Sequence, residues 1–257
     1  MRTSVLSLLC AVFLLGRCSL VLAARGDAPS GLVTIGMQRL FEDVRPAFEA
    51  AFGQKLHIEF ASTLDIAKRV QGGEVVDFVI TSRAGVESLI KTGSVSANHH
   101  WPLVASAIAV AIPAGHRKPD ISSVEALKKA LLDARSVSFT DPASGGPSGV
   151  HMAKVLEQLG IADHVRAKTK FPPAGGAVGD ILARGEADIG FQQMAELSSF
   201  EGVDVVGLVP SEFQSITEYE VAIPAGALRP DVGQAFMEFM HTPRGIDAIR
   251  VRGLEPR

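Results

Sequence analysis

The sequence predicts an α/β protein built as two lobes, each a mixed, mostly parallel sheet flanked by helices, joined by two crossing strands. Three observations carry this. The first 90 residues alternate short apolar strands with amphipathic helices, the pattern of a parallel sheet covered on its faces. A second alternating block runs from about 123 to 209. Near-copies of one segment, AIPAGHRKPD at 111–120 and AIPAGALRPD at 222–231, flank that block. Two strands crossing there would form a hinge, which divides the chain into residues 30–112 plus 224–257 and residues 117–218.

The elements follow in order. Residues 1–23 read as a targeting segment: Arg2 gives a positive start, Val5–Leu15 is almost wholly apolar, and Val21-Leu22-Ala23 is a small-residue cleavage pattern. Arg17 precedes Cys18 and Leu9 precedes Cys10, so neither cysteine fits a lipid anchor, and the mature chain holds no cysteine for disulfide or thiol chemistry. Cleavage removes two basic residues and no acid, moving the formal charge from −3 to −5. That charge, with one Trp and one Tyr, excludes a phosphate-binding or base-stacking surface for nucleic acid.

Residues 32–36 (LVTIG) read as the first strand and 38–52 as a helix, with Pro46 marking a kink or a first turn. A strand at 55–60 precedes a helix capped by Ser62 and stopped by Gly72-Gly73. A strand at 77–81 precedes a helix over 83–91, and 103–112 is a long apolar strand. His99-His100 beside Trp101 read as a loop, because no spaced Cys or acid joins them as metal ligands. The second block gives a helix at 123–133, strands at 136–139, 167–171, 187–191 and 203–209, and helices at 177–184 and 194–200. A strand at 218–223 and helices at 230–240 and 243–252 close the chain.

Residues 141–160, DPASGGPSGVHMAKVLEQLG, hold the strongest functional signal. Met152, Val155, Leu156 and Leu159 share one helical face, and Ser148 sits where an N-cap belongs. A Gly-rich turn into a helix start leaves backbone N–H groups free and aims the positive end of the helix dipole forward, as an anion site requires. Ligands of open α/β sheets bind beyond the carboxyl ends of strands. That rule collects Gly36, Met37 and Gln38; Ser62 and Thr63; Ser82 and Arg83; Ser144, Gly145, Gly146, Pro147 and Ser148; Gly176 and Ala177; and Gln192, and Gly149 and His151 of the helix start that follows are weighed beside them. Ser62 serves first as a helix cap, Arg83 is either a solvated helix start or an anion's partner, and His151 is more often a neighbour than a contact. The set holds hydroxyls, amides and glycines but no carboxylate pair and no nucleophile–base pair. Gly146-Pro147-Ser148-Gly149 misses the nucleophile-elbow pattern because Val150 stands in place of its second glycine, and no Walker A loop occurs. No metal or other cofactor is implied.

On these pieces the chain resembles the periplasmic substrate-binding proteins of ABC transporters, specifically the type II molybdate/tungstate-binding group. The likeness runs from about Leu32 to Pro256 and rests on GGEVVDFVITSRAGVESLIKTGSV (72–95), DPASGGPSGVHMAKVLEQLGI (141–161) and VGDILARGEADIGFQQMAEL (178–197), with ARGEADIGF (183–191) the most specific. It implies the two-lobe type II periplasmic-binding-protein fold, a periplasmic monomer with no enzymatic activity, hinge closure over a small anion, and an inner-membrane ABC permease as partner. Gly36-Met37, Ser62, Ser148, Ala177-Val178 and Gln192 fall at the family's binding places. The chain departs from the molybdate pattern at Gly36-Met37, where a hydroxyl residue is usual, and at Gln192, where Tyr is usual. Fewer hydroxyls, more amides and a glycine-rich loop suit a larger anion, a di- or tricarboxylate. A molybdate- or tungstate-specific protein and a serine hydrolase using Ser148 are the alternatives.

Overall fold

The computed structural model describes residues 28–173, 176–198 and 200–257. The targeting segment read at 1–23 lies outside them. Strand β1 (Ser30–Thr34) pairs in parallel with β2 (His57–Ala61) on one side and β3 (Phe78–Ser82) on the other. Helices α1 (Gln38–Phe52), α2 (Thr63–Gln71) and α3 (Arg83–Lys91) make the crossovers. Ser62 and Ser82 cap α2 and α3, accepting from the Asp65 and Gly85 amides. Pro46 lies inside α1 rather than at its start.

Strand β4 is far longer than its apolar run, Val95–Pro113. It pairs antiparallel with β8 (Ile216–Pro224) from Val95 to Ala107. His99, His100 and Trp101 therefore lie in a strand and not in a loop: backbone pairing with β8, His100 opposite Ala222, overrides their polar character. At Ile108 the strand leaves this sheet. It then pairs antiparallel with β6 (Ile189–Gln193) and β7 (Val203–Leu208). Strand β5 (Val137–Phe139) runs parallel to β6 at the edge. Both sheets are mixed: parallel within the strand–helix–strand units, antiparallel wherever β4 or β8 takes part.

The chain thus crosses between sheets at Ala107–Ile108 and returns between β7 and Ile216. The Gln214 side chain pins the crossing, accepting from the Ile108 amide at 2.8 Å and donating to the Ile108 carbonyl at 3.0 Å. The two Pro-Ala-Gly turns lie elsewhere. Ala114 donates to the Gly202 carbonyl in the second sheet's half, and Ala225 to the Ser94 carbonyl in the first. The repeat marks strand ends that look alike and lie apart from the point where β4 passes between the sheets.

Helices α4 (Val124–Asp133), α5 (Pro147–Gln158), α6 (Ala162–Arg166), α7 (Val178–Ala183) and α8 (Met194–Leu197) clothe the second sheet. The strand expected at 167–171 shrinks to a single bridge, Val137 to Thr169, because α6 uses up the preceding residues. Helices α9 (Asp231–Met240) and α10 (Pro243–Val251) return to the first half, and β9 (Glu255–Pro256) pairs with β4.

Each half has its own core. Phe41, Phe48, Phe78 and Phe236 stack or meet edge-on at ring distances of 5.2–6.2 Å in the first. In the second, Met152, Val155, Leu156 and Leu159 of α5 pack with Ile108, Val110 and Phe191. The apolar face read from the sequence is the buried one.

Candidate binding cleft between the two sheets

The carboxyl ends of β1, β2, β5 and β6 face a shared cleft of about 860 Å³. From the first half it is lined by Thr34, Gly36, Phe60, Ser62, Thr63, Leu64 and Lys68, and from the second by Thr140, Asp141, Ser144, Gly146, Pro147, Ser148 and Gln192. Pro172, Pro173 and Gly176 form one rim, and Glu196 and Tyr219 reach its floor.

Two helix starts open into this space. At α2 the Ser62 hydroxyl accepts from the Asp65 amide at 3.1 Å and donates to its carboxylate at 2.8 Å, leaving the Thr63 and Leu64 N–H groups without intrahelical acceptors. At α5 the N-cap is Gly146 and Pro147 takes the first helical position, so Ser148 sits one residue inside the helix rather than capping it. Proline belongs there because it has no N–H to orphan and its φ already suits a helix. The consequence is chemical. The Ser148 hydroxyl is spared capping duty and, among the described residues, makes a long 3.4 Å bond to the Thr140 hydroxyl. The loop before it meets α2: a Cβ added at Gly145, whose φ is +72°, would stand 3.2 Å from the Leu64 Cβ.

Of the residues singled out in the sequence, Gly36, Ser62, Thr63, Ser144, Gly146, Pro147, Ser148, Gly176 and Gln192 line the cleft. Gln38 and Ala177 instead line a chamber of about 220 Å³ behind it, which Gly36 shares. Met37 is buried in the first core, and Ser82 spends its hydroxyl on the α3 cap. Gly145, Gly149 and Val178 shape the walls from behind. His151 turns away from the cleft, its Nε2 2.7 Å from the Phe213 carbonyl.

Arg83 is also held elsewhere. Its guanidinium reaches Glu220 at 2.8 Å and Glu218 at 2.5 Å, and His100 Nδ1 lies 2.7 Å from the second Glu220 oxygen. Glu220 is 1% exposed, so this is a buried carboxylate satisfied from two sides. Glu220→Ala is expected to cost about 2 kcal/mol, through loss of charge-assisted bonds that hold β8 to α3 and β4. Thermal unfolding with and without ligand checks this: stability falls while affinity stays as it was, since none of the three residues lines the cleft.

The floor holds what the sequence reading passed over. Gln192 accepts from the Val178 amide at 3.0 Å, which fixes the start of α7, and its Nε2 donates to the Glu196 carboxylate. Glu196 and the Tyr219 hydroxyl both abut Gly36; a Cβ added there would lie 2.8 Å from the hydroxyl and 3.2 Å from a Glu196 oxygen. Glycine at 36 is therefore what leaves room for both groups. Desolvation raises the Glu196 carboxyl to about 8, only partly opposed by the Gln192 bond. Burial, followed by the nearby Glu196 charge, pushes the Tyr219 phenol well above its usual value. At neutral pH the floor is mostly uncharged and rich in O–H donors. The sequence does hold a signal for this: Glu196 falls four residues after Gln192, one helical turn past the strand end, and Tyr219 is the chain's one tyrosine.

Comparison with known proteins bears on this arrangement. A family model described as bacterial extracellular solute-binding protein matches residues 31–255. A protein named aconitate isomerase, from a Pseudomonas species, is 34% identical over 227 residues, covering 86% of this chain and 85% of that one. Among solved structures, the periplasmic molybdate-binding protein of Azotobacter vinelandii superposes with a TM-score of 0.74 at 18% identity, over 89% of this chain and 99% of that one. The sulfate-binding protein SubI of Mycobacterium tuberculosis H37Rv superposes at 0.71 and 18% identity, over 89% and 86%.

Proposed function

The chain belongs to the bacterial extracellular solute-binding protein family, and we propose that its cleft captures a small organic polycarboxylate. In this reading it works in the periplasm as a monomer and hands its ligand to an inner-membrane ABC permease. The carrying observation is the size and lining of the cleft. About 860 Å³ lies in the range of organic-ligand sites, roughly 300–1,000 Å³, and far exceeds what one four-oxygen anion fills. Six hydroxyl residues, Thr34, Ser62, Thr63, Thr140, Ser144 and Ser148, stand around it with two open helix starts, an arrangement for several separated acceptors. Lys68, exposed at the rim, supplies a cation. Closure of the two halves about the Ala107–Ile108 and Gln214 crossing would follow from ligand contacts made to both.

A thermal-shift panel of citrate, tricarballylate, cis- and trans-aconitate, succinate, molybdate, tungstate and sulfate tests this. Stabilisation by the carboxylates alone supports it; stabilisation by molybdate or tungstate alone moves the protein to the oxyanion reading. Ser148→Ala and Ser62→Ala are each expected to weaken binding roughly tenfold, since hydrogen bonds to charged groups contribute about 1.5–3 kcal/mol. Calorimetric affinities equal to wild type in both would remove these hydroxyls from the site.

A second reading has its own observation. The 34% identical relative is named for isomerising aconitate, and a protonatable carboxyl, Glu196, stands at the cleft floor here. The bound carboxylate would then be rearranged as well as held, and proton NMR of cis- and trans-aconitate incubated with the protein would show one form converting to the other.

A further inference from the structure

We infer that Glu196 is the group that carries the proton in this site: it removes hydrogen from a carbon next to a ligand carboxylate and returns it two carbons away. The inference rests on the isomerase reading just given and goes beyond it by assigning the chemistry to one side chain. Three observations converge on Glu196.

The first is position. Among the acidic residues lining the cleft, Asp65 is engaged by Ser62 and Asp141 accepts from the Ala143 amide at 2.9 Å, both at the mouths of helical turns. Glu196 alone of the three stands at the floor beside Tyr219, with Gly36 withdrawn to leave its oxygen exposed to the cavity.

The second is orientation. The Gln192 amide grips one carboxylate oxygen while its own carbonyl is anchored on the Val178 amide. The held oxygen fixes the plane of the carboxyl, and the other oxygen, nearest Gly36, remains for proton transfer.

The third is access. Glu196 lines both the cleft and the chamber behind it, where Gln38, Arg39, Asp180 and Arg252 stand. The carboxyl can therefore exchange its proton with water on one side while facing ligand on the other. The raised proton affinity fits the task, because a carboxylate that binds its proton near neutrality is a far stronger base than an ordinary one.

The substrate class is an unsaturated polycarboxylate with a methylene between a carboxylate and a carbon–carbon double bond. The Glu196 carboxylate takes a methylene proton, and the C–H pair delocalises over the three-carbon allyl system and the adjoining carboxylate. Glu196 then delivers a hydrogen, the one just taken or one exchanged onto it from solvent, to the far allyl carbon. One C–H bond breaks, another forms, the double bond moves by one position, and no electron or proton is gained or lost. No cofactor is needed. The Tyr219 hydroxyl and the N–H groups of Ser148 and Gly149 would meet the negative charge that builds on the carboxylate.

The test uses the full mature protein, cis- and trans-aconitate as probes, and Glu196→Gln. Wild type in D2O should place deuterium in the methylene and interconvert the isomers. Its rate should rise with pH through about 8 as the base ionises. Glu196→Gln should still show ligand-induced thermal stabilisation but lose about 10³-fold in exchange rate, the scale of a general-base contribution. Asp65, Asp141, Lys68, Arg69, Arg39, Asp180 and Arg252 are the other charged groups facing the two cavities. A pH profile surviving in Glu196→Gln would assign the proton to one of them and overturn the inference while leaving the isomerase reading intact. Wild type that binds both probes but neither exchanges hydrogen nor interconverts the isomers would overturn inference and isomerase reading together and leave capture standing. Wild type that binds neither probe would overturn the inference and the isomerase reading, and capture would then stand or fall on the citrate, tricarballylate and succinate arms of the thermal-shift panel.

Discussion

Gly149→Ala is expected to lower the melting temperature by about 6–12 °C and to weaken ligand binding at least tenfold. The reason is a collision with backbone. A Cβ at 149 would stand 2.1 Å from the Thr140 carbonyl oxygen, 2.8 Å from its carbon and 3.1 Å from the Thr140 Cβ. No side-chain rotation relieves this, because two of the three atoms are main chain. Either α5 slides away from the end of β5 or Thr140 swings outward. Overpacking of this kind costs about 3 kcal/mol, and each kcal/mol shifts the midpoint of a chain this size by about 2–4 °C. Binding suffers for the same geometric reason: Ser148 and the open N–H groups of α5 move with the helix, and Thr140 lies on the opposite side of the same contact. A tenfold loss is only about 1.4 kcal/mol, less than one misplaced charge-assisted bond. Gly226→Ala is the control. It has nothing within 4 Å of an added Cβ, so a comparable loss there would show that the chain tolerates no alanine at exposed glycines generally. Scanning calorimetry and titration calorimetry on both variants decide the matter. Unchanged melting of Gly149→Ala would mean that α5 sits farther from β5 than described.

The same glycine shows where sequence reasoning reached and where it stopped. The SGGPSG run was legible as an anion-facing helix start, because glycine, proline and serine punctuate a strand-to-helix turn. Its register shifts by two residues: proline's preference for the first helical position moves the cap from Ser148 to Gly146. Strand–helix alternation gave the layers, and helical periodicity gave the buried face of α5. The passage of β4 between sheets is not legible in the conspicuous repeat at the strand ends, which lies several residues away. The true crossing is fixed instead by a single Gln214 side chain contacting Ile108 across 106 positions. Arg83 enters the candidate set because strand-end rules count residues, and His151 because it lies in the first turn of the key helix, whereas each side chain is claimed by a partner far along the chain, Glu220 and the Phe213 carbonyl. Glu196 was missed for the reverse reason. Its spacing from Gln192 is the one local signal, and that spacing alone does not separate it from a surface glutamate on a short helix. Only folding brings Gly36, Gln192 and Tyr219, from three separate strands or their ends, around its carboxyl.

That convergence carries a stability cost with a definite pH signature, and Glu196→Gln should remove it. Unfolded, the carboxyl titrates near 4.5; folded, near 8. Below 4.5 both states hold the proton and Glu196 leaves the folding equilibrium untouched. Between 4.5 and 8 the folded chain binds more protons than the unfolded one, so stability falls as pH rises, and above 8 the loss is complete. A shift of this size corresponds to at most about 5 kcal/mol, reduced to about 2–4 kcal/mol by water standing in the cleft. Glutamine keeps the shape and can accept the same Gln192 bond but does not titrate. The two proteins should therefore melt within about 2 °C of each other at pH 4.5, and the variant should melt about 4–16 °C higher at pH 8.5. Every other titrating group is common to both and cancels in the difference. Parallel melting curves from pH 4.5 to 8.5 would mean that water solvates the carboxyl fully and that it ionises like a surface acid. It could then be neither the neutral O–H donor of the cleft floor nor a base strong enough to draw a proton from carbon. A widening gap would establish the desolvated floor independently of any ligand. It would also explain why an acidic side chain can stand where a polycarboxylate has to bind.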